Sequence, residues 1–473
     1  AALPAMAPGP RPWPSCAGRR CWASMRWALA LVLVLAPCSR GSKPKGGVAG
    51  GASLAAGSAA DAFDTEEAPA EQPATGAKRP RKPRVRAACA PELGLLDPKA
   101  ETARTFAQNF QRFCNTSSPW AERHRKLPEV LGFVAPWNDH GYRGARYFRG
   151  KLSAISPLWF HVLPGRGADG ANAFEIAGWD IAKEQERWSK QASDEFCIGQ
   201  QCGDGPEVLP HFSLEGFEKL ASLRAVLEEP VALAAEVAVM CERGGFQGVV
   251  FDIRLALFPG LKALVPRLAA ELGRALRSAH RRLLLSVPAP LPGSSRGPEF
   301  DASDAAAVAN DVDAIVLGTR DFSRKEPGPA APLPWVRASA KRLLQRGSDG
   351  GGGLRPEQLV IEIPLYGRAF QEGSGEGKVI AALEIAKAIA KQRPELTWDS
   401  DSAEHSAKLS KGRVQLSLPT LAFVSERLQL ASELGVGVAL RDLGAGLDAA
   451  FDLLPARAEG ALEESGSEEP ATG

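Results

Sequence analysis

Eight short apolar runs, separated by stretches with helical periodicity, limit the fold more tightly than any other feature of the chain. They are "VLGFVAPW" at Val130, "AISPLWFHVL" at Ala154, "VLPHFSL" at Val208, "GVVFDIRL" at Gly248, "LLLSVPAPL" at Leu283, "DAIVLGTRD" at Asp313, "LVIEIPLYG" at Leu359 and "VGVALRDLG" at Val436. Between the fourth and fifth runs, Leu261, Leu264, Val265, Leu268, Leu272 and Leu276 recur at helical spacing. Near-continuous apolar strands alternating with amphipathic helices indicate a parallel sheet covered by helices. Eight such units predict an α/β fold of the (β/α)8 TIM-barrel type rather than an open doubly wound sheet. The longest gap, between Tyr366 and Val436, holds a helical stretch and the strand-like "RVQLSLP", which predicts a small α+β insertion between the seventh and eighth strands.

The rest of the 473 residues falls into flanking segments. Met25, Arg26 and the apolar run from Trp27 to Ala36 have the form of a secretory signal peptide at 25–41, with a signal anchor as the alternative. The run is too short for a comfortable membrane span. Residues 1–24 then read as upstream gene-model sequence. Residues 42–95 are rich in Ala, Gly, Pro, Glu and Lys, too poor in large apolar side chains to offset the entropy of ordering, and are expected to be disordered. A lead-in segment at 96–128 precedes the barrel at 129–456, with its insertion at about 367–430. An acidic tail, 457–473, is read like the linker.

Composition excludes some functions. The formal charge is +2, so no charge extreme points to nucleic acid. The basic run Lys78 to Arg86 reads as a solvated linker, with a processing site or a nuclear signal as alternatives. Cys197 and Cys202 bracket "CIGQQC", a loop that a disulfide could close. Cys89 and Cys114 are a second candidate pair, and Cys241 reads as a buried free thiol. Asn115-Thr116-Ser117 is a glycosylation sequon, meaningful in a lumenal setting. No spacing of ligands suggests a metal or any other cofactor. His140, His161, His211 and His405 are expected to be ordinary hydrogen-bonding groups.

In a (β/α)8 barrel the chemistry sits at the C-terminal strand ends. Those ends carry Trp137, Trp159 and His161, Glu215, Asp252 and Arg254, Arg320 and Asp321, Tyr366, and Arg441 and Asp442.

The fourth run resembles the signature strand of glycoside hydrolase family 18, the chitinases and their relatives, Asp-Gly-x-Asp-x-Asp-x-Glu. On that pattern "QGVVFDIR" places Gln247 at the first Asp, Gly248 at the Gly, Val250 at the second Asp and Asp252 at the third, with Arg254 in place of the Glu. Stretches from about Glu129 to Leu454, among them "VLGFVAPWNDHGYRGARYFRGKLSAISPLW" and "LGVGVALRDLGAGLDAAFDLL", resemble a divergent branch of the family. Members of that branch lack the catalytic glutamate, bind saccharides, and are secreted or lysosomal.

The resemblance implies substrate-assisted hydrolysis in active members, in which the strand-end Glu protonates the leaving group. Arginine cannot do this, because its pKa stays above ~12. The sixth strand's Met-x-Tyr-Asp becomes Gly318, Arg320 and Asp321, and Arg441 stands where the eighth strand carries a Trp. Tyr366 is kept, with Glu362 where the family often has Gly. The expectation is a chitinase-like, carbohydrate-binding protein without hydrolase activity. Its candidate binding residues are Trp137, Asp252, Arg254, Arg320, Asp321, Tyr366 and Arg441. The expected partner is an oligosaccharide or glycan, neutral or acidic; a protein receptor is the other partner class. Two readings of the arginines stay open: full pairing with Asp252, Asp321, Glu362 and Asp442, which makes a plug, or one left free as an anion clamp. The rival functions are a hydrolase using Glu362 or Asp321 as its acid, and an interaction scaffold that binds no sugar.

Overall fold

A computed structural model describes residues 94, 96–109, 127–165, 173–178, 205–292, 299–345 and 353–455. The signal-like segment, the basic run, Asn115, Cys89, Cys114, Cys197 and Cys202 lie outside the described residues.

The apolar runs form a curled parallel sheet. Its strands are β1 (Val130–Val134), β2 (Ala154–Pro157), β3 (Phe160–Pro164), β4 (Phe174–Gly178), β5 (Glu207–Val208), β6 (His211–Leu214), β7 (Gly248–Asp252), β8 (Arg282–Pro288), β9 (Ala314–Gly318) and β10 (Leu359–Pro364), closed by β16 (Gly437–Arg441). The hydrogen-bonded order is β4-β3-β6-β7-β8-β9-β10-β16-β1-β2-β5. The second and third sequence runs are each split in two: β2 and β3 by Leu158-Trp159, β5 and β6 by Leu209-Pro210. Because β2 pairs with β5 while β3 pairs with β6, these halves join the ends of the ladder and complete a ring of eight staves. Proline explains the second break, since it has no N–H to give the ladder. The hairpin strand β4, antiparallel to β3, is an addition that periodicity did not reveal.

Alternation along each stave sorts side chains into two cores. Leu131, Phe133, Ala154, Leu209, Val250, Leu284, Ala314, Val316, Val360 and Ala439 fill the inside of the ring. Ile155, Phe212, Phe251, Leu285, Leu317 and Ile361 face the surrounding helices. Those helices include α2 (Asp139–Tyr147), α4 (Val231–Gly244), α5 (Val265–Ser278), α7 (Leu333–Leu343) and α9 (Leu421–Leu434), with α1 (Ala103–Asn109) in the lead-in, α3 (Leu220–Glu228) before α4 and α6 (Ala302–Val308) after α5. The face of α5 that carries Leu268, Leu272 and Leu276 is buried. Cys241 on α4 is a buried free thiol.

The fourth stave starts where it does for local reasons. Gly245 takes a left-handed φ of 65° and caps α4. Gly248 then lets the fourth and fifth staves approach, because a Cβ there would lie 2.3 Å from the Arg282 carbonyl oxygen. Gln247 ties the foot of the stave down, accepting from Val208 N (2.8 Å) and donating to Gly245 O (3.0 Å).

The insertion follows the seventh stave. It is an antiparallel sheet of β11 (Gly367–Gln371), β12 (Lys378–Ile380), β13 (Leu396–Asp399), β14 (Glu404–Leu409) and β15 (Val414–Leu418), in the order β12-β11-β15-β14-β13, with helix α8 (Ala382–Gln392). Leu421 already begins α9, which packs on the barrel, so the inserted part ends before 430.

Candidate functional site

The strand ends place one polar layer above the apolar ring. Register puts His161 beside Ser213, Ser213 beside Asp252, and Asp252 beside Ser286, in a row across the second to fifth staves. Period-two alternation from the inward-facing Val250 and His211 turns this row toward the mouth. On the opposite side stand Glu362 of the seventh stave, Arg441 of the eighth and the Arg320-Asp321 pair just past the sixth.

The second side is tied together by charge. Buried Glu362, only 3% exposed, accepts from Arg320 Nε through Oε2 (2.7 Å) and from Arg441 Nη1 through Oε1 (3.1 Å). Gly318 leaves space for this carboxylate: a Cβ there would come within 3.3 Å of Glu362 Oε2. Arg320 also pairs with Asp321 Oδ2 (3.0 Å). The other oxygen of Asp321 accepts from Tyr366 Oη (2.9 Å) and from Arg368 Nη2 (2.8 Å) and Nε (3.1 Å). Arg441 lies over the Phe133 ring, 4.6 Å from its centroid, a cation–π contact. Arg320 and Arg441 are about 15% exposed.

Both arginines precede an aspartate held at positive φ, 60° at Asp321 and 59° at Asp442. That conformation costs roughly 1–2 kcal/mol for a residue with a Cβ, and Asp is among the residues that tolerate it best. Burial alone would raise the Asp321 carboxyl, but Arg320 and Arg368 outweigh it and hold it down to about 2. Burial raises the Asp442 carboxyl, against the pull of Arg441 and Arg320.

The fourth stave is looser. Asp252 Oδ1 accepts from the Arg254 backbone N–H (2.8 Å), and Oδ2 lies 3.6 Å from the Arg254 guanidinium. That guanidinium is 45% exposed, three times as open as the other two. Burial would raise the Asp252 carboxyl, but the Arg254 guanidinium and backbone N–H, with Arg320, hold it below the usual range. His211 is buried against Phe133, its Nε2 3.9 Å from Asp252 Oδ2 and without a hydrogen-bond partner. Burial pushes its imidazole down to about 3, so the ring is neutral.

Of the residues singled out in the sequence, Arg320, Asp321, Tyr366 and Arg441 meet in one network, and Asp252 and Arg254 stand beside it. Trp137, just past the first stave, is 76% exposed. Val250 is interior core, and Gln247 belongs to the foot of the stave, at the end away from the mouth. Arg368 was missed because it starts the insertion; its place two residues beyond Tyr366 was the available signal. His140, His161 and His405 are hydrogen bonded, whereas His211 Nε2 departs from that expectation. Among the described residues no group of three His, Cys, Asp or Glu side chains could hold a metal ion. No described helix is long and apolar enough to cross a membrane.

A closed eight-stave ring with its polar layer at the C-terminal mouth has clear relatives. Residues 214–436 match the family described as Glycosyl hydrolases family 18. Residues 214–436 are a glycosyl hydrolase family 18 domain. Solved structures of similar fold include a chitinase from Chromobacterium violaceum, with 16% identity and a TM-score of 0.56, covering 69% of this chain and 97% of that one. The spore cortex-lytic enzyme SleL of Bacillus megaterium shares 14% identity at a TM-score of 0.53, over 68% of this chain and 72% of its own. A family GH18 chitinase from Cycas revoluta, solved with allosamidin, shares 16% identity at a TM-score of 0.52, over 68% and 97%. At these identities the likeness concerns the fold. Within the family 18 frame, the question is what an arginine-lined mouth can do.

Proposed function

We propose that this family 18 barrel binds glycans at its mouth without cleaving them, and that acidic groups on the glycan strengthen binding. What carries the reading is the combination at the strand ends: on the signature pattern Arg254 falls at the place of the proton donor, and Glu362, a candidate substitute, has both oxygens engaged by arginines. A general acid must release a proton near neutral pH. Arg254 cannot. Asp252 and Asp321 are held in the ionised form by the cations around them. Losing the acid alone removes roughly 10²–10⁴ in rate.

Two features support retained binding. Trp137 offers an exposed aromatic face of the kind that packs on a sugar ring, and the Arg254 guanidinium is open to a carboxylate or sulfate. A mutant of a plant class V chitinase from Cycas revoluta was solved in complex with (GlcNAc)3, which supports a saccharide as the ligand class here. The apolar run Trp27 to Ala36 supports delivery through the secretory pathway, to the outside or to lysosomes.

Fluorogenic chito-oligosaccharides should not be turned over. Asp442 is the mouth carboxyl shifted toward the protonated form, so activity that disappears in Asp442→Asn or Glu362→Gln overturns the proposal. An array of neutral and acidic glycans should show binding; none at any concentration favours the scaffold reading.

A further inference from the structure

The row that crosses the second to fourth staves contains a cluster with no role so far. His161 Nδ1 lies 2.9 Å from Ser213 Oγ and 3.0 Å from Glu215 Oε1, and Ser213 Oγ donates to the same Glu215 oxygen at 2.8 Å. This arrangement fixes the protons. An ionised carboxylate only accepts, and the single serine proton already goes to it, so the imidazole proton must be on Nδ1. The His161 hydrogen bond in turn keeps the Glu215 carboxyl below its usual range. With its proton on Nδ1 alone the ring offers Nε2 as an acceptor, and Glu215 Oε2 is a second one. His161 and Glu215 are 28% and 44% exposed, so both can be reached from solvent. Behind them lies the buried His211 Nε2, without a hydrogen-bond partner, two residues before Ser213 on the same stave.

Acceptors of this kind match sugar hydroxyls, which donate. Two staves away stands the exposed guanidinium of Arg254, past Asp252. Strand spacing puts His161 and Asp252 about 10 Å apart. One end of the row thus takes hydroxyl donors and carries a negative charge, and the other end takes an anion.

We propose that Ser213, His161, Glu215 and Arg254 form a two-point site for an oligosaccharide in which an acidic sugar is followed by a neutral one. This inference rests on the glycan-binding reading above and adds the order of charges along the ligand. Arg254 pairs with the carboxylate of the acidic unit. The neutral neighbour gives its hydroxyl hydrogens to His161 Nε2 and Glu215. An entirely neutral chain leaves Arg254 unused, and an entirely acidic chain brings a second carboxylate against Glu215.

Calorimetric titration of the full chain with three probes tests the idea: an unsulfated chondroitin hexasaccharide (alternating uronic acid and N-acetyl sugar), an oligogalacturonate and chitohexaose. The alternating probe should bind about tenfold more tightly than either uniform one. Arg254→Ala should remove the advantage over chitohexaose. His161→Ala should weaken the alternating probe and chitohexaose alike, by about tenfold. Glu215→Gln, a conservative change at a half-exposed position, should narrow the gap between the alternating and the all-acidic probe. Equal affinity for the three probes, or unchanged binding in both His161→Ala and Glu215→Gln, overturns the two-point site while leaving glycan binding intact. A folded wild-type protein that binds none of the probes defeats this inference together with the glycan-binding reading.

Discussion

The two sides of the barrel mouth use the same residue types to opposite effect. On the sixth to eighth staves, Arg320, Arg368 and Arg441 interlock with Asp321 and Glu362, and nearly every nitrogen–oxygen contact lies at hydrogen-bond distance. On the second to fourth staves the groups are as polar but half open, and Arg254 and its nearest carboxylate are 3.6 Å apart. The difference shows that charge at a strand end is not in itself a binding site. Paired and buried, it fixes the shape of the mouth; exposed and loosely paired, it is left for a ligand.

Replacing Glu362 should give the largest effect. Its two arginines are mostly buried, and without it they share no counter-ion. Breaking a buried ion network from one side costs roughly 3–5 kcal/mol, so Glu362→Ala should lower Tm by about 10 °C. Glu215→Ala, on the open side, should cost less than ~1 kcal/mol, because a half-exposed pair is screened by water. Equal losses in the two variants would erase the distinction between the sides.

His211 gives the next largest effect, and it depends on pH. The folded ring titrates near 3 and an unperturbed histidine near 6.5. Between those values the unfolded chain binds about one more proton than the folded one. Stability is therefore present above 6.5 and falls as pH drops toward 3, by at most ~1.4 kcal/mol per pH unit. His211→Phe should flatten this acid arm relative to wild type, measured by denaturant unfolding from pH 7 to pH 4. Parallel acid arms would show that the ring is charged in the folded protein and that the row behind Asp252 has been misassigned.

The barrel was legible in the sequence because burial on both faces of a parallel sheet demands unbroken apolar runs, and the chain supplies eight. The breaks at Leu158-Trp159 and Leu209-Pro210 were not, since each run remains apolar across its break. Alternation also placed Asp252, Arg320 and Arg441 at the mouth. It could not assign partners. Glu362 is 42 residues from Arg320 and 79 from Arg441, and which carboxylate each guanidinium reaches depends on side-chain packing across the ring. The His161 cluster was hidden for the same reason. Its members stand on two staves, 52 residues apart, and each alone reads as an ordinary polar strand end.

The smallest expected effect on stability belongs to the arginine on the open side. Arg254 is nearly half exposed, so its guanidinium lost little hydration on folding and gains little from Asp252 at 3.6 Å. The tighter contact to Asp252 Oδ1 comes from the backbone N–H, which a substitution leaves in place. Arg254→Ala should therefore change stability by less than ~0.5 kcal/mol, a shift of under about 2 °C in Tm. The same variant should lose the part of acidic-glycan affinity that weakens with added salt. A fall in Tm comparable to that of Glu362→Ala would mean that Arg254 is a working member of the ion network. The mouth would then be a plug on both sides, with no arginine left to meet an anion.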